Sequence, residues 1–355
     1  MSTLHVPSPA CPPAVASTEL ELHYLAEGAA NIIYSVSVLS PQSLQEHSHC
    51  CVMRLRKDLR STKPAVAVMA DFDRRIAPLF TGYESLLMTQ SLYKLTPEMV
   101  RAATEELLEM DHVDLSALSA DLDNLEGKPR RGLRPHHRRH VYLPAYEDEQ
   151  YGILMQNLQG PGIDWLVEFK PKWLVQSPSA PVEAKNCRTC ALNAMRRQKQ
   201  KHQGRGDSGF CPLDLLEEGD ALERALAKIW PPIEGDFREF VAAFKKTVQP
   251  ALFHLRKLQE EHGSVGLKDF QNPIGKDFGV AMALRDCSVF LALRRRKNEP
   301  QDQGVLVELV DVKFADLDLK SIEGGKVQKW ATMEQELLDG GWYYSREDSN
   351  CSLSR

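Results

Sequence analysis

The first part of the chain alternates short apolar runs with turn-forming residues, a pattern that is typical of β-strands. The apolar and β-branched runs cover residues 20–24, 32–39 and 50–55. The turn-forming segments between them read Glu-Gly-Ala-Ala-Asn at 27–31 and Ser-Pro-Gln-Ser at 40–43. We therefore predict a three-stranded β-meander in this part of the chain.

Helical periodicity follows the meander and then gives way to polar sequence. Thr96 and Pro97 resemble a helix start, and apolar residues at positions 99, 100, 103, 107 and 108 form one face of the predicted helix. Residues 114–139 change from acidic to basic without an apolar period, which predicts a long loop. Residues 141–158 regain strand character and end in a predicted connector.

The pattern then becomes mainly helical. Residues 177–207 are polar and basic, so we expect a loop or a short helix with a linker there. Two amphipathic helices are predicted at 221–230 and 236–262. The second helix is expected to be kinked or divided at Pro250 and to end at Gly263.

The last long apolar segments predict a β-hairpin. Runs at 280–293 and 305–314 read as two strands, and the basic turn 294–304 joins them. The gross layout is therefore an α+β fold in two lobes, and it is the layout of kinase-like folds. We divide the chain into a loose N-terminal extension at 1–18, a β-rich lobe at 19–157, and a mostly helical lobe at 158–355 that carries the hairpin.

Composition agrees with a globular protein of one to three domains. The chain has 355 residues, of which 43% are hydrophobic and 26% are charged. No apolar run approaches the roughly 20 residues that a membrane-spanning helix needs. Residues 1–18 lack a basic region followed by an apolar stretch, so we expect an intracellular protein rather than a secreted one.

Positive charge is concentrated in clusters although the net charge is −5. Nine of the thirteen residues 128–140 are Lys, Arg or His, and further basic clusters lie at 196–202 and 294–297. Nucleic-acid binders usually carry a basic balance over a whole domain, so separate clusters favour a local anionic ligand. For any single cluster, a solvated loop or a nuclear-import signal is an equally good explanation.

A cysteine pair indicates a candidate metal site. Cys187 and Cys190 are followed by His202 and Cys211. In a reducing compartment a close cysteine pair suggests a metal, and four such ligands suit structural Zn2+. The spacing after the pair is irregular, which leaves incidental cysteines as the alternative.

Two acidic positions flank the predicted hairpin. Asp286 lies among apolar residues, where an unpaired carboxylate is costly, so it either pairs with a cation such as Arg285 or acts as a general base. Asp316 and Asp318 follow the second predicted strand, where carboxylates are well placed to bind Mg2+ with nucleotide oxygens. Their alternative is a loop acid that caps a helix. Lys320, on the same segment as Asp316, is a candidate phosphate ligand.

Further candidates are two lysines and a small-residue turn. Lys170 and Lys172 flank Pro171, which predicts an extended segment with both ammonium groups on one side, although two exposed surface lysines are the alternative. The small residues of the turn 27–31 allow backbone N–H groups to approach a phosphate, and Arg54 lies within reach of the same phosphates. An ordinary hairpin turn is the alternative. These parts, with a base, a metal-binding acid and fixed cations, are those of a phosphotransferase.

Short segments between residues 24 and 330 resemble the inositol-pentakisphosphate 2-kinase family. The Glu-x-Lys-Pro-Lys motif matches residues 168–172, and Asp-Leu-Asp-Leu-Lys is identical at 316–320. The family motif Lys-Asp-Cys-Ser reads Arg-Asp-Cys-Ser at 285–288. The other similar segments are the turn 27–31, the strand 52–57, the Cys-Arg-x-Cys segment 187–190 and the Pro-Leu-Asp-Leu segment 212–215.

The resemblance implies transfer of the ATP γ-phosphate to the 2-hydroxyl of inositol 1,3,4,5,6-pentakisphosphate, which gives inositol hexakisphosphate (phytate). Asp286 would be the general base and Asp316 would hold Mg2+. The implied ligands of ATP are Gly28, Ala29, Ala30, Asn31, Arg54, Gln156 and Asn157. The implied ligands of the inositol phosphate are Lys170, Lys172 and Lys320, with Arg196 and Lys326 as approximate counterparts of family residues.

The implied substrate agrees with the charge map. Each phosphate monoester adds roughly −1.5 to −2 charges near neutral pH, so several fixed cations must neutralise a pentakisphosphate. We expect the basic clusters around Arg134 and Arg196 to supply some of them. The resemblance also implies a nuclear address as an alternative to the cytoplasm, and we expect a monomer that acts on small molecules, without a membrane or nucleic-acid partner.

Two other functions stay open. One is a noncatalytic protein that binds inositol phosphates or nucleic acid on a kinase-like scaffold. The other is a kinase-like phosphotransferase that acts on a different hydroxyl substrate. The acidic pair disfavours the first, because a binder of polyanions gains nothing from two carboxylates. The lysine-rich motif disfavours the second, because a neutral acceptor does not need those cations.

Overall fold

The structure is a computed structural model of the chain, and it divides into two compact units. The smaller unit includes residues 18–70 and 88–161, and the larger includes residues 71–87 and 162–355. Segment 71–87, which lies within the predicted N-terminal lobe, therefore belongs to the larger unit. The described residues are 18–40, 48, 50–112, 134–200, 209–231, 233, 235–271, 277–296, 306–320, 325–344 and 350–355.

The smaller unit is built on a five-stranded antiparallel sheet in the order β1-β2-β3-β5-β4. Strands β1 to β3 confirm the predicted meander, whereas β4 was not predicted. The strands are β1 (Glu19–Glu27), β2 (Asn31–Ser40), β3 (Cys51–Arg56), β4 (Gln90–Lys94) and β5 (Tyr151–Gln156).

Among the described residues, the smaller unit also contains α1 (Ala65–Asp71), up to Ala70, and α2 (Pro97–His112). The predicted helix start is confirmed in α2, where the Thr96 hydroxyl accepts a hydrogen bond of 3.3 Å from the Met99 N–H. The α2 face that includes Ala103 and Leu107 is buried in one apolar cluster with the central strands. Helix α2 is therefore held by the sheet that it covers.

The larger unit is built on a three-stranded antiparallel sheet in the order β6-β7-β8. Strands β7 (Ser288–Arg296) and β8 (Leu306–Ala315) confirm the predicted hairpin, and β6 (Trp165–Phe169) is a strand that the sequence pattern did not reveal. The helices are α3 (Arg188–Gln200), α4 (Gly219–Ile229), α5 (Phe237–Ala243), α6 (Gln249–Glu261), α7 (Leu267–Gln271), α8 (Phe278–Asp286) and α9 (Lys326–Asp339).

The predicted helix 236–262 forms, and it is divided as expected. Helices α5 and α6 are joined by one π-helical turn, Phe244–Val248, and Pro250 lies in the first turn of α6. Proline has no N–H to donate to the preceding turn, which explains why the helix changes its hydrogen-bond pattern there. Gly263 ends the helix as predicted, and its N–H donates to the Gln259 carbonyl at 3.0 Å.

Two element predictions are wrong in part. Of the segment 141–158, predicted to have strand character, only β5 forms a strand. The run 280–293 is not a single strand, because α8 occupies its first half and β7 begins only at Ser288. The Asp277 side chain caps α8 by accepting a hydrogen bond of 3.0 Å from the Val280 N–H. The residues of α8 from Phe278 to Arg285 are all buried, so the helix has no polar face that periodicity can detect.

The mixed α+β class with antiparallel sheets is confirmed, and the kinase-like arrangement stays a prediction. The apolar core of the larger unit packs the three strands against α4, α5 and α6. Where the sequence predicted a loop or short helix at 177–207, α3 forms. In the part of the chain that is described, no helix is long and apolar enough to span a bilayer.

Candidate active site

The sheet of the larger unit brings five charged side chains together at one end of its three strands. Phe169, the last residue of β6, lies opposite Val289, and Ser288 lies opposite Ala315, the last residue of β8. The residues just beyond these strand ends are therefore neighbours in space. They are Lys170 and Lys172 after β6, Asp286 before β7, and Asp316 and Lys320 after β8.

Lys170 links the two acidic side chains. Its Nζ lies 2.8 Å from Oδ2 of Asp316 and 3.8 Å from Oδ1 of Asp286. The same ammonium donates a hydrogen bond of 2.8 Å to the backbone carbonyl of Asp286. The two carboxylates that the sequence singles out thus meet at one positive group.

A further lysine contacts each carboxylate. Lys172 Nζ lies 2.6 Å from Oδ1 of Asp286, and Lys320 Nζ lies 2.7 Å from Oδ1 of Asp316. The result is an alternating row of charges in the order Lys172, Asp286, Lys170, Asp316, Lys320, which we call the charge row. Each carboxylate lies between two ammonium groups, and the row keeps a net positive charge.

The charge row shifts the pKa values of two of its members. Burial raises the pKa of the Asp316 carboxyl, but Lys320 and Lys170 outweigh burial, and the pKa lies below its usual value. Burial lowers the pKa of the Lys170 ammonium, but its hydrogen bond to Asp316 outweighs burial, and that pKa is raised. Both groups are therefore charged at neutral pH.

Asp286 is solvent-accessible, with 51% of its side chain exposed. It ends α8 rather than lying inside a strand, so the apolar residues before it do not enclose its carboxylate. Arg285, which the sequence offered as its partner, is buried and points elsewhere. The Arg285 guanidinium lies 3.6 Å from the ring centre of Trp173 and donates a hydrogen bond of 3.1 Å to the Val265 carbonyl.

Two residues of the charge row have strained backbones. Lys172 has φ 55° and Asp316 has φ 56°. Both values lie in the left-handed region, which residues other than glycine rarely adopt. The prediction of an extended segment through Lys172 is therefore wrong, although both lysines still reach the same acids. Strain of this kind costs about 1–3 kcal/mol per residue and clusters at functional sites.

Glu168 joins two of the sequence motifs, and sequence reasoning gave it no role. Its Oε1 accepts a hydrogen bond of 2.6 Å from the Ser288 hydroxyl. Glu168 begins the Glu-x-Lys-Pro-Lys motif and Ser288 ends the Arg-Asp-Cys-Ser motif. The bond therefore fixes the lysine segment beside the segment that carries Asp286, and the first Glu of the motif was the available signal.

The candidate nucleotide ligands lie in the smaller unit. In the turn between β1 and β2, the Gly28 N–H donates to the Asn31 carbonyl at 2.8 Å, and the Ala30 carbonyl accepts from the Lys57 N–H at 2.9 Å. Gly28 and Ala29 are exposed. The other candidates are Arg54 on β3, Gln156 at the end of β5 and Asn157 directly after it.

Arg134 does not suit the role predicted for it. Its side chain is 0% exposed and lies 2.9 Å from Oε1 of Glu27 and 3.0 Å from Oδ2 of Asp111. Lys57 forms a further ion pair with Glu27. The Arg134 charge is therefore used inside the smaller unit, and it cannot bind a substrate phosphate without breaking its buried ion pairs with Glu27 and Asp111. Local sequence shows the charge of the segment but not the buried acids that it meets.

Two other predicted substrate ligands lie on helices of the larger unit. Arg196 is exposed on α3, and Lys326 is exposed at the first residue of α9. These helices pack through Leu192 and Met195 of α3 and Leu337 of α9. The roles of Arg196 and Lys326 stay predictions.

The predicted cysteine site gathers four thiols. The sulfurs of Cys187, Cys190, Cys211 and Cys351 all lie within 4.8 Å of one another. The Cys211 sulfur lies 3.9 Å from that of Cys187 and 3.8 Å from that of Cys351. In tetrahedral Zn2+ sites with Zn–S bonds of about 2.3 Å, neighbouring sulfurs lie about 3.8 Å apart, so the four thiols fit this metal.

Cys351 is the member of this cluster that sequence reasoning missed. It lies 140 residues after Cys211, far outside any local ligand spacing. Its sulfur accepts a hydrogen bond of 3.1 Å from the Cys187 N–H, which holds the two segments together. His202, predicted as a ligand, lies outside the described residues.

Comparisons with known proteins agree with the motif positions. The sequence model of the family described as inositol-pentakisphosphate 2-kinase matches residues 24–252 and 247–336. A curated protein named inositol-pentakisphosphate 2-kinase, from Yarrowia lipolytica, is 30% identical over 253 residues, which are 70% of this chain and 73% of that protein. The whole charge row lies inside the matched ranges, whereas Cys351 follows them.

Proposed function

The chain belongs to the inositol-pentakisphosphate 2-kinase family, and we propose that it phosphorylates the 2-hydroxyl of inositol 1,3,4,5,6-pentakisphosphate with ATP, giving inositol hexakisphosphate. The observation that carries this proposal is the contact of Lys170 with both Asp286 and Asp316. Phosphoryl transfer requires one carboxylate for the hydroxyl proton, another for a metal ion, and fixed cations for the phosphates. The charge row supplies all three.

Asp286 is the general base of the proposed reaction. Its carboxylate accepts the proton of the 2-hydroxyl as the hydroxyl oxygen bonds to the γ-phosphorus and the bond to ADP breaks. A base must lie within about 2.6–3.2 Å of the oxygen that it deprotonates. The half-exposed position of Asp286 leaves room for this approach.

Asp316 is the proposed ligand of Mg2+. Its carboxylate oxygens are hard donors of the kind that Mg2+ prefers, and its lowered pKa keeps them ionised. When bound, Mg2+ would neutralise negative charge on the ATP phosphates during transfer. Gly28, Ala29, Ala30, Asn31, Arg54, Gln156 and Asn157 are the proposed ligands of the nucleotide.

Lys170, Lys172 and Lys320 bind phosphate groups in this proposal. Lysine binds phosphate as a compact point charge, and a pentakisphosphate offers many acceptor oxygens. A noncatalytic binder of inositol phosphates or nucleic acid remains the alternative. The two carboxylates favour the enzyme, because they would repel phosphates in a site that only binds.

The proposal is tested by incubating the protein with ATP, Mg2+ and inositol phosphates that carry three, four or five phosphates. Anion-exchange chromatography separates the products by charge. We expect hexakisphosphate from the pentakisphosphate and ADP in equal amount. Binding of inositol phosphates without any ADP formation would favour the noncatalytic alternative.

We also propose that Cys187, Cys190, Cys211 and Cys351 hold a structural Zn2+. Four thiolates without an open position are typical of structural rather than catalytic zinc. Three of the four cysteines are buried, so a bound ion would be shielded from solvent.

A further inference from the structure

A buried amide lies behind the charge row and takes no part in the proposed chemistry. It belongs to Gln259, in the last turn of α6, whose side chain and backbone are 0% exposed. Burying a primary amide is unfavourable unless its hydrogen-bonding groups are satisfied. The partners of Gln259 therefore indicate what it holds in place.

The Gln259 amide bonds to backbone groups on both sides of the active site. Its Oε1 accepts a hydrogen bond of 2.8 Å from the Leu174 N–H. Its Nε2 donates to the Lys172 carbonyl at 2.9 Å and to the Leu284 carbonyl at 2.9 Å. Both donors and one acceptor position of the amide are thus used, and all three partners are backbone groups.

Two of these bonds fix the strained turn at Lys172. The residue has φ 55°, a conformation that a lysine adopts only when its surroundings enforce it. Gln259 binds the Lys172 carbonyl and the N–H two residues later, so it spans this turn. The direction of the Lys172 side chain depends on the turn, because a change in φ would swing it away from Asp286.

The third bond fixes the end of the helix that carries Asp286. The Leu284 carbonyl is among the last four of α8, which have no partner within their own helix. Gln259 supplies that partner two residues before Asp286. One amide therefore positions both members of the ion pair in which Lys172 Nζ lies 2.6 Å from Asp286 Oδ1.

Arg285 and Trp173 form a parallel connection between the same two segments. Trp173 directly follows Lys172, and Arg285 directly precedes Asp286, with the guanidinium 3.6 Å from the ring centre. Arg285 also donates to the Gly263 and Val265 carbonyls, just beyond α6. The end of α6 is thus the common support of the lysine segment and the base.

We propose that Gln259 is a positioning residue for phosphoryl transfer, which sets the geometry of Lys172 against Asp286 without touching substrate. The proposal rests on the function proposed above, in which Asp286 is the base. Loss of the amide displaces the base and lowers kcat, while the nucleotide ligands of the smaller unit are unaffected. The expected signature is a fall in kcat with an unchanged KM for ATP.

The chain offers a matched control on the same helix. Gln249 is 5% exposed on α6, and its Nε2 donates to the Leu215 and Glu217 carbonyls at 3.2 and 2.8 Å, away from the charge row. Gln259→Met and Gln249→Met each remove a buried amide, keep side-chain length, and leave two carbonyls without that donor. Gln259→Met additionally leaves the Leu174 N–H without its acceptor, so the thermal midpoint of each variant is compared with its kcat.

We would measure kcat, KM for ATP and thermal midpoint for both variants, and hydrogen–deuterium exchange of the peptide that contains Leu174. We expect Gln259→Met to lower kcat by about 10–100-fold, the effect of about a 1 Å misplacement, and to speed exchange of that peptide. Gln249→Met should change neither. Equal kcat losses in both variants, or full kcat in Gln259→Met, would overturn the proposal.

Exchange in the unmodified protein tests the same proposal without activity or a variant. The Leu174 N–H belongs to no helix or strand, yet we expect it to exchange slowly because Gln259 accepts its hydrogen. Rapid exchange would overturn the positioning role even if Gln259→Met failed to fold. Failure of the unmodified protein to phosphorylate the pentakisphosphate would instead refute the proposed function, and the exchange result would still decide whether Gln259 holds the lysine segment.

Discussion

At the scale of single residues, Asp286 is the residue on which the proposed reaction depends most, because it is the proposed general base. Its carboxylate is half exposed and contacts two lysines, so replacing it should disturb little besides the reaction. We expect Asp286→Asn, which keeps the shape but removes the proton acceptor, to lower kcat by about 10²–10⁴-fold. ATP binding, measured by calorimetry, should stay within a few fold of that of the unmodified protein.

The control for Asp286→Asn is Glu223→Gln, which neutralises an exposed acid on α4. We expect this variant to keep full kcat. Full turnover by Asp286→Asn would remove the assigned base and leave the ion pair with Lys172 as a purely structural contact.

The lowered pKa of Asp316 predicts how the activity depends on pH. A carboxyl with a lowered pKa keeps its charge until the pH falls below that value, so activity should persist into mildly acidic solution. Lys320→Met removes the largest lysine influence on Asp316 and should raise the pKa. The acidic limb of kcat at saturating substrates should therefore move to higher pH.

Lys329→Met, which removes an exposed lysine on α9, is the matched control and should leave that limb in place. An acidic limb that does not move in Lys320→Met would mean that protonation of Asp316 does not limit the reaction.

The sequence predicts which chemical groups form the site, but it does not predict how they are arranged. Asp286, Asp316 and the lysines stand in short motifs that name their chemistry. The left-handed backbone at Lys172 depends on Gln259, which lies 87 positions away and carries no motif. Long-range contacts of this kind leave no local pattern.

At the scale of elements, the cysteine cluster joins α3 to segments far apart in the chain. We expect the purified protein to contain about one zinc ion per chain by elemental analysis. Cys351→Ser should lower the zinc content and the thermal midpoint, because one of four thiolates is lost. The midpoint should fall by roughly 2–4 °C for each kcal/mol of lost stability.

Cys50→Ala is the control for the zinc experiment, since Cys50 is a buried cysteine of the smaller unit and not a member of the four-thiol cluster. Its zinc content should match that of the unmodified protein. Zinc binding that does not respond to Cys351→Ser would exclude this residue as a ligand.

The buried ion pairs around Glu27 lead to a prediction about the stability of the smaller unit. The Glu27 side chain is 0% exposed and faces both Lys57 and Arg134. Glu27→Gln leaves two buried cations short of a partner and should cost about 3–5 kcal/mol of unfolding free energy, measured by urea titration.

Glu21→Gln on the same strand is the control, because Glu21 is exposed and its carboxylate pairs with the exposed His23. Its cost should be below about 0.5 kcal/mol. Equal costs for the two variants would mean that the buried charges of the smaller unit do not stabilise it.

The elements themselves show where sequence patterns succeed. Strand β2 and helix α2 each have one buried face, so their periodicity is clear, whereas β3 was found from its apolar composition and the turns around it. Helix α8 is buried on nearly all sides, and its continuous apolar run looks like a strand. Strands β4 and β6 are five residues each, too short for periodicity to separate from the surrounding sequence.

At the scale of the whole molecule, the two units differ in what their charges do. In the smaller unit the buried charges of Glu27, Lys57, Arg134 and Asp111 pair with one another. In the larger unit the charge row stays partly exposed, and opposite charges alternate along it. Breaking a buried pair leaves an uncompensated charge and is costly, whereas accessible alternating charges are available to a charged substrate.

The most direct test of the account compares pentakisphosphate isomers that differ only in which inositol hydroxyl is free. All isomers have nearly the same charge, so a site that only attracts polyanions would treat them alike. With ATP and Mg2+, we expect rapid formation of hexakisphosphate only from the isomer with a free 2-hydroxyl. Equal rates for all isomers, or transfer to another hydroxyl, would contradict the proposed reaction.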